Sequence, residues 1–187
     1  MALLTVAQVA DKGAQLRPDF KISWRPALAA FAAQYTAAAK ATDLVQPCML
    51  AAIVCRETGG QNILQIGMTP GPGCGVGLTQ ITSGVDWSVA SAPTYPGYGP
   101  LLDAQTNLKV CAVEFLEPLL NMFSDNHLAA FAAYNVGAGN VQEELKEGIS
   151  PDSWTTGHDY GTSVFESWIN FTAASCGDNV DWANYKP

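Results

Sequence analysis

The stretch PCMLAAIVCRETGG, Pro47 to Gly60, decides the fold prediction because it joins an apolar helix to a carboxylate. Its opening proline suits a first helical turn, and its closing glycines favour a helix end. Leu50, Ile53 and Val54 precede Glu57 at helical spacing, so all four side chains share one helix face. The stretch therefore predicts a buried helix with an acid at its carboxyl end.

The position of Glu57 predicts an unusual carboxyl group. Partial burial and the negative end of the helix dipole both raise a carboxyl pKa. A carboxylic acid that stays protonated near neutral pH suits general acid catalysis. The structural alternatives are an ion pair with Arg56 or Lys109, or exposure to solvent as the helix frays.

The composition narrows the class of protein. The chain has 187 residues, 48% of them hydrophobic and 14% charged, with a net charge of -8. This indicates a globular protein with a real core. The acidic balance without a basic block argues against nucleic acid as a partner, and no apolar run is long enough for membrane insertion.

Helical spacing dominates the rest of the chain, and alternation typical of strands is scarce. We predict a mainly α fold, with at most a small β element near the glycine-rich loop. The predicted helices are residues 26–40 and 47–56, one after Asp103 with Leu108, Cys111, Ala112, Phe115 and Leu119 on one face, one from Ser124 or Asp125 to Asn135, and one over 160–174.

The glycine loop and the cysteines allow few functions. GMTPGPGCGVG, residues 67–77, lacks the Lys-Ser/Thr pair of a phosphate-binding loop. The five cysteines show no CxxC pair and no nearby histidine, so we expect no metal site and no cofactor. Disulfides and buried thiols both remain open as their state. His127 and His158 are expected to be structural or surface residues.

Four segments in order resemble the goose-type lysozyme and soluble lytic transglycosylase superfamily. They are PCMLAAIVCRETGG (47–60), GVGLTQIT (75–82) with Thr79 where Met is usual, LLDAQTNLKVCAVEFLEPLL (101–120) with Asn107 at the usual Asn, and AAFAAYNVGAGNV (129–141). The resemblance implies one lysozyme-like catalytic domain over 1–187, with a family-like core of about 42–175 and a substrate cleft. It also implies cleavage of the β-1,4 bond between N-acetylmuramic acid and N-acetylglucosamine in peptidoglycan.

The resemblance also implies roles for individual residues. Glu57 is the expected general acid, and the expected substrate contacts are Thr58, Gln80, Tyr134, Asn135 and Tyr160. Thr58 has a local hydrogen-bonding role as its alternative. Four loop aromatics are candidate stacking surfaces for sugar rings, with packing as their alternative: Trp87, Tyr95, Tyr98 and Trp154.

A second carboxylate is hard to find. Residues 58–84 contain no Asp or Glu. In this the sequence departs from the goose-type lysozymes that it resembles, which carry aspartates in this region. Asp86 or Asp103 is the candidate base of a hydrolase. Otherwise Glu57 acts alone, first as acid and then as base, and the muramic C6 hydroxyl attacks to give a 1,6-anhydro end. The missing aspartates favour this second mechanism.

Other functions remain as alternatives. A chitinase would accept an N-acetylglucosamine polymer in the same fold, and a non-catalytic glycan-binding module would need no acid. We expect a monomer that acts outside the cytoplasm on the cell wall, with a peptidoglycan or chitin-type glycan strand as its partner. No signal peptide is visible in MALLTVAQVADKG, residues 1–13, so we expect an exported or phage-encoded protein.

Overall fold

The computed structural model describes residues 28, 30–62, 75–82, 98–124 and 126–173. Its α-helices are α1 (Ala32–Ala39), α2 (Pro47–Glu57), α3 (Tyr98–Leu101), α4 (Ala104–Val110), α5 (Glu117–Met122), α6 (His127–Val136), α7 (Ala138–Glu147) and α8 (Tyr160–Ala173). A π-helical segment, Cys111–Leu116, joins α4 to α5, and a 3-10 turn, Thr156–His158, precedes α8. The predicted mainly α fold with a small β element is confirmed.

Helix α2 is the centre of the core. Every residue from Cys48 to Val54 is buried, so the helix is covered on all sides. Helices α1 and α8 pack against it. Although α2 is apolar, neither it nor any other helix in the described ranges is long and apolar enough to cross a membrane. This burial fixes the helix end that carries Glu57.

The β element is a two-stranded antiparallel hairpin. Strand β1 (Gly75–Val76) pairs with β2 (Ile81–Thr82), with Gly75 opposite Thr82 and Val76 opposite Ile81. The connecting residues 77–80 form a tight turn, in which Gly77 has a φ of +75°. A Cβ at Gly77 would lie 2.4 Å from Asn107 Nδ2 and 2.5 Å from the Leu101 carbonyl oxygen. Only glycine therefore fits this position.

The π-helical segment corrects the predicted apolar face after Asp103. Leu108, Cys111 and Ala112 are buried as predicted, but the buried positions then shift to Leu116 and Leu120. Phe115 and Leu119 were predicted on this face and are only partly buried. The wider π turns insert residues into the helical repeat, which rotates the face that follows. Pro118 gives a physical reason, because its ring excludes the carbonyl four residues earlier in a regular helix.

The prediction that the next helix starts at Ser124 or Asp125 is wrong. Asn126 is the N-cap of α6, where its Oδ1 accepts the Ala129 N–H at 3.0 Å. The sequence analysis also missed α7, which begins directly after Gly137. Helices α6 and α7 pack against each other around Ala129, Ala132 and Val141. The predicted final helix is confirmed within one residue.

The structure describes most of the first predicted helix and three of the five cysteines. Helix α1 starts at Ala32 after a turn at residues 30 and 31, and Leu28 before that turn is also helical, while the predicted start at Pro26 lies outside the described residues. Cys48 is disulfide-bonded. Cys55 and Cys111 are thiols, so both alternatives for the cysteines occur within one chain. Cys74 and Cys176 lie outside the described residues.

Candidate active site

Glu57 and Tyr160 meet where α2 ends and α8 begins. The Tyr160 hydroxyl donates a hydrogen bond of 2.5 Å to Glu57 Oε1. Glu57 is partly buried, as its position on the apolar face predicted, and Tyr160 is buried. The structure thus brings together the predicted acid and one of the predicted substrate contacts.

Asp152 holds the first turn of α8 in place. Its Oδ1 accepts the Gly161 N–H at 2.6 Å, and its Oδ2 accepts the Thr162 N–H at 2.8 Å and the Thr162 hydroxyl at 2.6 Å. A carboxylate at a helix N-terminus satisfies unpaired N–H groups and complements the helix dipole. Asp152 therefore fixes the backbone that carries Tyr160. The sequence analysis missed this role, because the acid lies eight residues before the helix starts.

The surroundings of Glu57 act on its pKa in opposite directions. Burial raises the pKa, while the Tyr160 hydrogen bond and the positive charge of Arg56 lower it, and burial is the largest effect. Burial also raises the pKa of the Tyr160 phenol well above its usual value. Tyr160 is thus a hydrogen-bond donor throughout the neutral range, and Glu57 titrates above an ordinary glutamate.

Tyr134 is the second tyrosine of the site. Its hydroxyl donates to the Thr79 carbonyl oxygen at 2.9 Å, which connects α6 to the hairpin turn. Its ring packs edge-to-face on Phe115, with ring centroids 6.1 Å apart. Burial raises the pKa of the neighbouring Cys111 thiol to about 12, against hydrogen bonds to Tyr134 and Thr79 that lower it. Tyr134 and Cys111 are therefore uncharged at neutral pH.

Asn107 connects the hairpin to helix α4. Its Oδ1 accepts the Thr79 N–H at 3.0 Å and the Thr79 hydroxyl at 2.8 Å, and its Nδ2 donates to the Val76 carbonyl oxygen at 2.9 Å. The side chain is fully buried, so these bonds form away from solvent. Sequence analysis identified Asn107 only through the resemblance, and its bracing role needed the structure.

Replacing Asn107 with Leu should lower the free energy of unfolding by about 3 kcal/mol, since buried peptide groups of Val76 and Thr79 lose their partners. Urea denaturation measures this. Asn140→Leu is the matched control, because Asn140 is exposed and donates one hydrogen bond to the Val136 carbonyl oxygen. Equal denaturation midpoints for the two variants would contradict the bracing role.

Thr58 and Gln80 use their side chains locally. The Thr58 hydroxyl donates to the Leu78 carbonyl oxygen at 2.9 Å, with a longer contact of 3.3 Å to the Val54 carbonyl oxygen. Gln80 has a φ of +52°, and its Nε2 donates to the Gly77 carbonyl oxygen at 2.8 Å. Thr58 thus connects the end of α2 to the hairpin, and the side chain of Gln80 folds over its own turn.

Asn135 binds the first residue of the 3-10 turn. Its Oδ1 accepts the Thr156 N–H at 2.9 Å, so the oxygen of this amide is already bonded to protein. Trp154 is 48% exposed, and its backbone N–H donates to the buried Glu144 carboxylate at 2.7 Å. Contact of the Asn135 amide nitrogen and the exposed Trp154 ring with sugar stays a prediction.

Of the two candidates for a second carboxylate, the structure describes Asp103 and not Asp86. Asp86 lies outside the described residues, as do Trp87 and Tyr95, two of the aromatics predicted to stack on sugar rings. Tyr98 was predicted in a loop but is the first residue of α3. Asp103 is the N-cap of α4, as predicted, and its Oδ1 accepts the Thr106 N–H at 2.8 Å. This bond lowers the pKa of the exposed Asp103 carboxyl. Asp103 is thus an ionised helix cap.

The model of the transglycosylase SLT domain family matches residues 34–155, well over half of the chain. This match spans the end of α2, the hairpin, Asn107 and Tyr134. The chain belongs to the transglycosylase SLT domain family. Membership agrees with the resemblance of the four sequence segments.

Two SLT-family proteins are similar to parts of the chain. The soluble lytic murein transglycosylase of Salmonella typhimurium is 36% identical over 72 residues, which cover 37% of this chain and 11% of the relative. The 70 kDa soluble lytic transglycosylase SLT70 of Escherichia coli matches with a TM-score of 0.58 and 20% identity. That match covers 77% of this chain and 24% of SLT70, so the chain spans only a small part of either protein.

Proposed function

We propose that the chain is a lytic transglycosylase of peptidoglycan, with Glu57 as its catalytic acid and base. The observation that carries the proposal is the hydrogen bond of 2.5 Å from Tyr160 to a partly buried glutamate at a helix end. Membership of the SLT family and the names of the two relatives support the reaction class. The proposed catalytic unit is one domain, acting as a monomer outside the cytoplasm on the cell wall.

The proposed reaction uses one carboxyl group twice. Protonated Glu57 gives its proton to the glycosidic oxygen, and the bond from that oxygen to the muramic C1 breaks with its electron pair on the oxygen. The muramic C6 hydroxyl then forms a bond to C1 and returns its proton to Glu57. The products are a free N-acetylglucosamine 4-hydroxyl and a 1,6-anhydro ring, and no water is consumed.

The surroundings of Glu57 suit both steps. Burial favours the neutral acid that protonates the leaving oxygen. Tyr160 and Arg56 favour the carboxylate that later accepts the C6 proton. These opposed effects keep both protonation states within reach, as a group that serves as acid and then as base requires.

No carboxylate among the described residues is a cause of the Glu57 pKa shift, which supports transglycosylation over hydrolysis. Within the described part of the chain, the titratable side chains that interact with Glu57 belong to Tyr160, Arg56, Tyr134 and Cys111, and none of them is a carboxylate. Asp103 is engaged as a helix cap. A hydrolase needs a nucleophile or a base to hold water, and the candidate that remains is Asp86.

Tyr160→Phe is expected to lower kcat by about tenfold, because a charge-assisted hydrogen bond to the acid is lost. The same change should move the alkaline limb of the kcat/KM profile to higher pH, since this hydrogen bond lowers the Glu57 pKa. Tyr35→Phe is the matched control, because it removes a buried phenol hydroxyl from α1. A limb that stays at the wild-type pH in Tyr160→Phe would contradict the proposed pair.

The direct test of the substrate uses two polymers. Purified protein is incubated with peptidoglycan and, separately, with chitin, and soluble sugar fragments are measured against a Glu57→Gln blank. We expect release from peptidoglycan alone, because chitin lacks the lactyl and peptide groups of the muramic unit. Release from chitin alone would favour a chitinase. Binding of peptidoglycan without release would favour a glycan-binding module.

A further inference from the structure

Two consecutive residues at the end of α2 pair with two consecutive residues at the start of α8. Arg56 Nη2 donates to Asp159 Oδ1 at 2.9 Å, and Tyr160 donates to Glu57 Oε1 at 2.5 Å. The two pairs lie side by side across the same junction. Movement of α8 against α2 would therefore disturb both pairs together.

Arg56 makes two further contacts with the segment that carries Tyr160. The same Nη2 atom donates to the Thr156 carbonyl oxygen at 3.0 Å. The guanidinium carbon lies 5.4 Å from the centroid of the Tyr160 ring, a cation–π distance. Arg56 thus contacts the ring whose hydroxyl binds Glu57, and it also contacts the chain on the N-terminal side of that ring.

The backbone between these contacts is strained. Gly157 has a φ of +78° and His158 a φ of +56°, both in the left-handed region. A non-glycine residue in this region carries a cost, and such a conformation persists when its surroundings fix it. Arg56 donates a hydrogen bond to the Thr156 carbonyl oxygen, and Asn135 accepts one from the Thr156 N–H. These contacts hold the segment at the point where it enters the strained turn.

We propose that Arg56 is a positioning residue of this site, which holds Tyr160 against Glu57 through Asp159, Thr156 and the Tyr160 ring, and which places a positive charge beside the acid. The inference deepens the proposed function and rests on it for the predicted effect on activity. The effect of Arg56 on the Glu57 titration is a property of the free protein, so it can be measured without substrate.

The charge of Arg56 has a predictable sign of effect. Among the residues that the structure describes, the titratable groups that interact with Glu57 are Arg56 on α2, Tyr160 on α8, Tyr134 on α6 and Cys111 in the π-helical segment. The two tyrosines and the cysteine are neutral at neutral pH, because burial raises their pKa values. Loss of the Arg56 charge should therefore raise the Glu57 pKa. Loss of the Asp159 charge should lower it, since Arg56 is then less neutralised.

Three variants separate position from charge. Arg56→Met removes both, and Arg56→Lys keeps the charge but lacks the guanidinium that binds Asp159 and Thr156 through Nη2 and contacts the Tyr160 ring. Asp159→Asn keeps an oxygen acceptor for Arg56 and removes a negative charge. Lys146→Met is the matched control, because Lys146 forms an exposed ion pair with Glu143 on α7.

The Glu57 titration is followed by 13C NMR of side-chain carboxyl-labelled glutamate, with Glu57→Gln to assign the signal. The kcat/KM profile on peptidoglycan strands is measured in parallel. We expect Arg56→Met to raise the Glu57 midpoint by about 0.5–1 pH unit and Asp159→Asn to lower it. We expect Arg56→Lys to raise the midpoint by less than Arg56→Met and to lower kcat about fivefold to tenfold, because the positive charge stays but a misplaced Tyr160 donates a weaker hydrogen bond to Glu57.

The inference is overturned if Arg56→Met and Asp159→Asn shift the midpoint in the same direction, or if both behave like Lys146→Met. If Arg56→Met does not fold, the other two variants decide: Asp159→Asn must lower the midpoint, and Arg56→Lys must lower kcat and raise the midpoint although it keeps the positive charge. Activity that survives in Glu57→Gln would overturn the proposed function alone, since the NMR titration would still report on Arg56.

Discussion

Glu57→Gln is expected to lower the rate of glycan cleavage by about 10³-fold or more, because an amide cannot give a proton to the glycosidic oxygen. Glutamine keeps an Oε1 atom that accepts the Tyr160 hydrogen bond, so the α2–α8 junction should stay intact. Release of soluble fragments from purified peptidoglycan measures the rate. Binding of the insoluble polymer, measured by co-sedimentation, should be unchanged.

The same variant gives a stability test with a defined sign. Burial raises the folded-state pKa of Glu57 above the ordinary value of 4.5. Below that value the carboxyl is protonated in both the folded and the unfolded state. As pH rises through the folded-state pKa, the parent protein loses stability that the variant keeps. The Tm of Glu57→Gln should therefore match the parent at low pH and exceed it at neutral pH.

Glu143→Gln is the matched control for both measurements, because Glu143 pairs with Lys146 on the surface of α7. It should leave the cleavage rate unchanged and show no comparable gain in Tm between low and neutral pH. Near-normal cleavage by Glu57→Gln would remove Glu57 from the reaction. A gain in Tm that does not depend on pH would contradict the raised pKa.

Gly77→Ala should cause the largest loss of stability, about 4 kcal/mol or more in the free energy of unfolding. The new Cβ would lie 2.4 Å from Asn107 Nδ2 and 2.5 Å from the Leu101 carbonyl oxygen, distances that require movement. One of these neighbours is backbone, and the other holds three hydrogen bonds to the hairpin. Relaxation at Gly77 would displace Thr79, whose carbonyl oxygen binds Tyr134.

Gly148→Ala is a control with nearly the same backbone. Its φ is +73°, against +75° at Gly77, but nothing lies within 4 Å of a Cβ built at Gly148. It should therefore lose only the cost of left-handed backbone, about 1–2 kcal/mol. Chemical denaturation measures both variants. Equal losses would show that crowding at Gly77 has no effect, which would contradict the described packing of the turn.

The local elements of the fold were predictable because local residues determine them. Helices α2 and α8 follow from apolar spacing, and the start of α4 follows from Asp103, a capping residue directly before it. The partial burial of Glu57 follows from the same spacing. The start of α6 was missed because three neighbouring residues, Ser124, Asp125 and Asn126, all suit an N-cap.

The rest depended on contacts between distant parts of the chain. The Arg56–Asp159 and Glu57–Tyr160 pairs each join residues 103 positions apart, and no local pattern reports such a contact. The π-helical segment breaks the regular spacing on which apolar faces are predicted, although Pro118 marks the place. The residues around Asn107 give no local sign of its role, because that role depends on hydrogen bonds to the hairpin.

The most direct test of the central claim is the mass spectrum of the fragments that the protein releases from purified peptidoglycan. We predict fragments that end in 1,6-anhydro-muramic acid, absent from the Glu57→Gln digest. This result would mean that Glu57 serves as both acid and base and that no second carboxylate is required. Fragments one water heavier, with reducing muramic ends, would contradict the account, identify a hydrolase and point to Asp86 as the missing base.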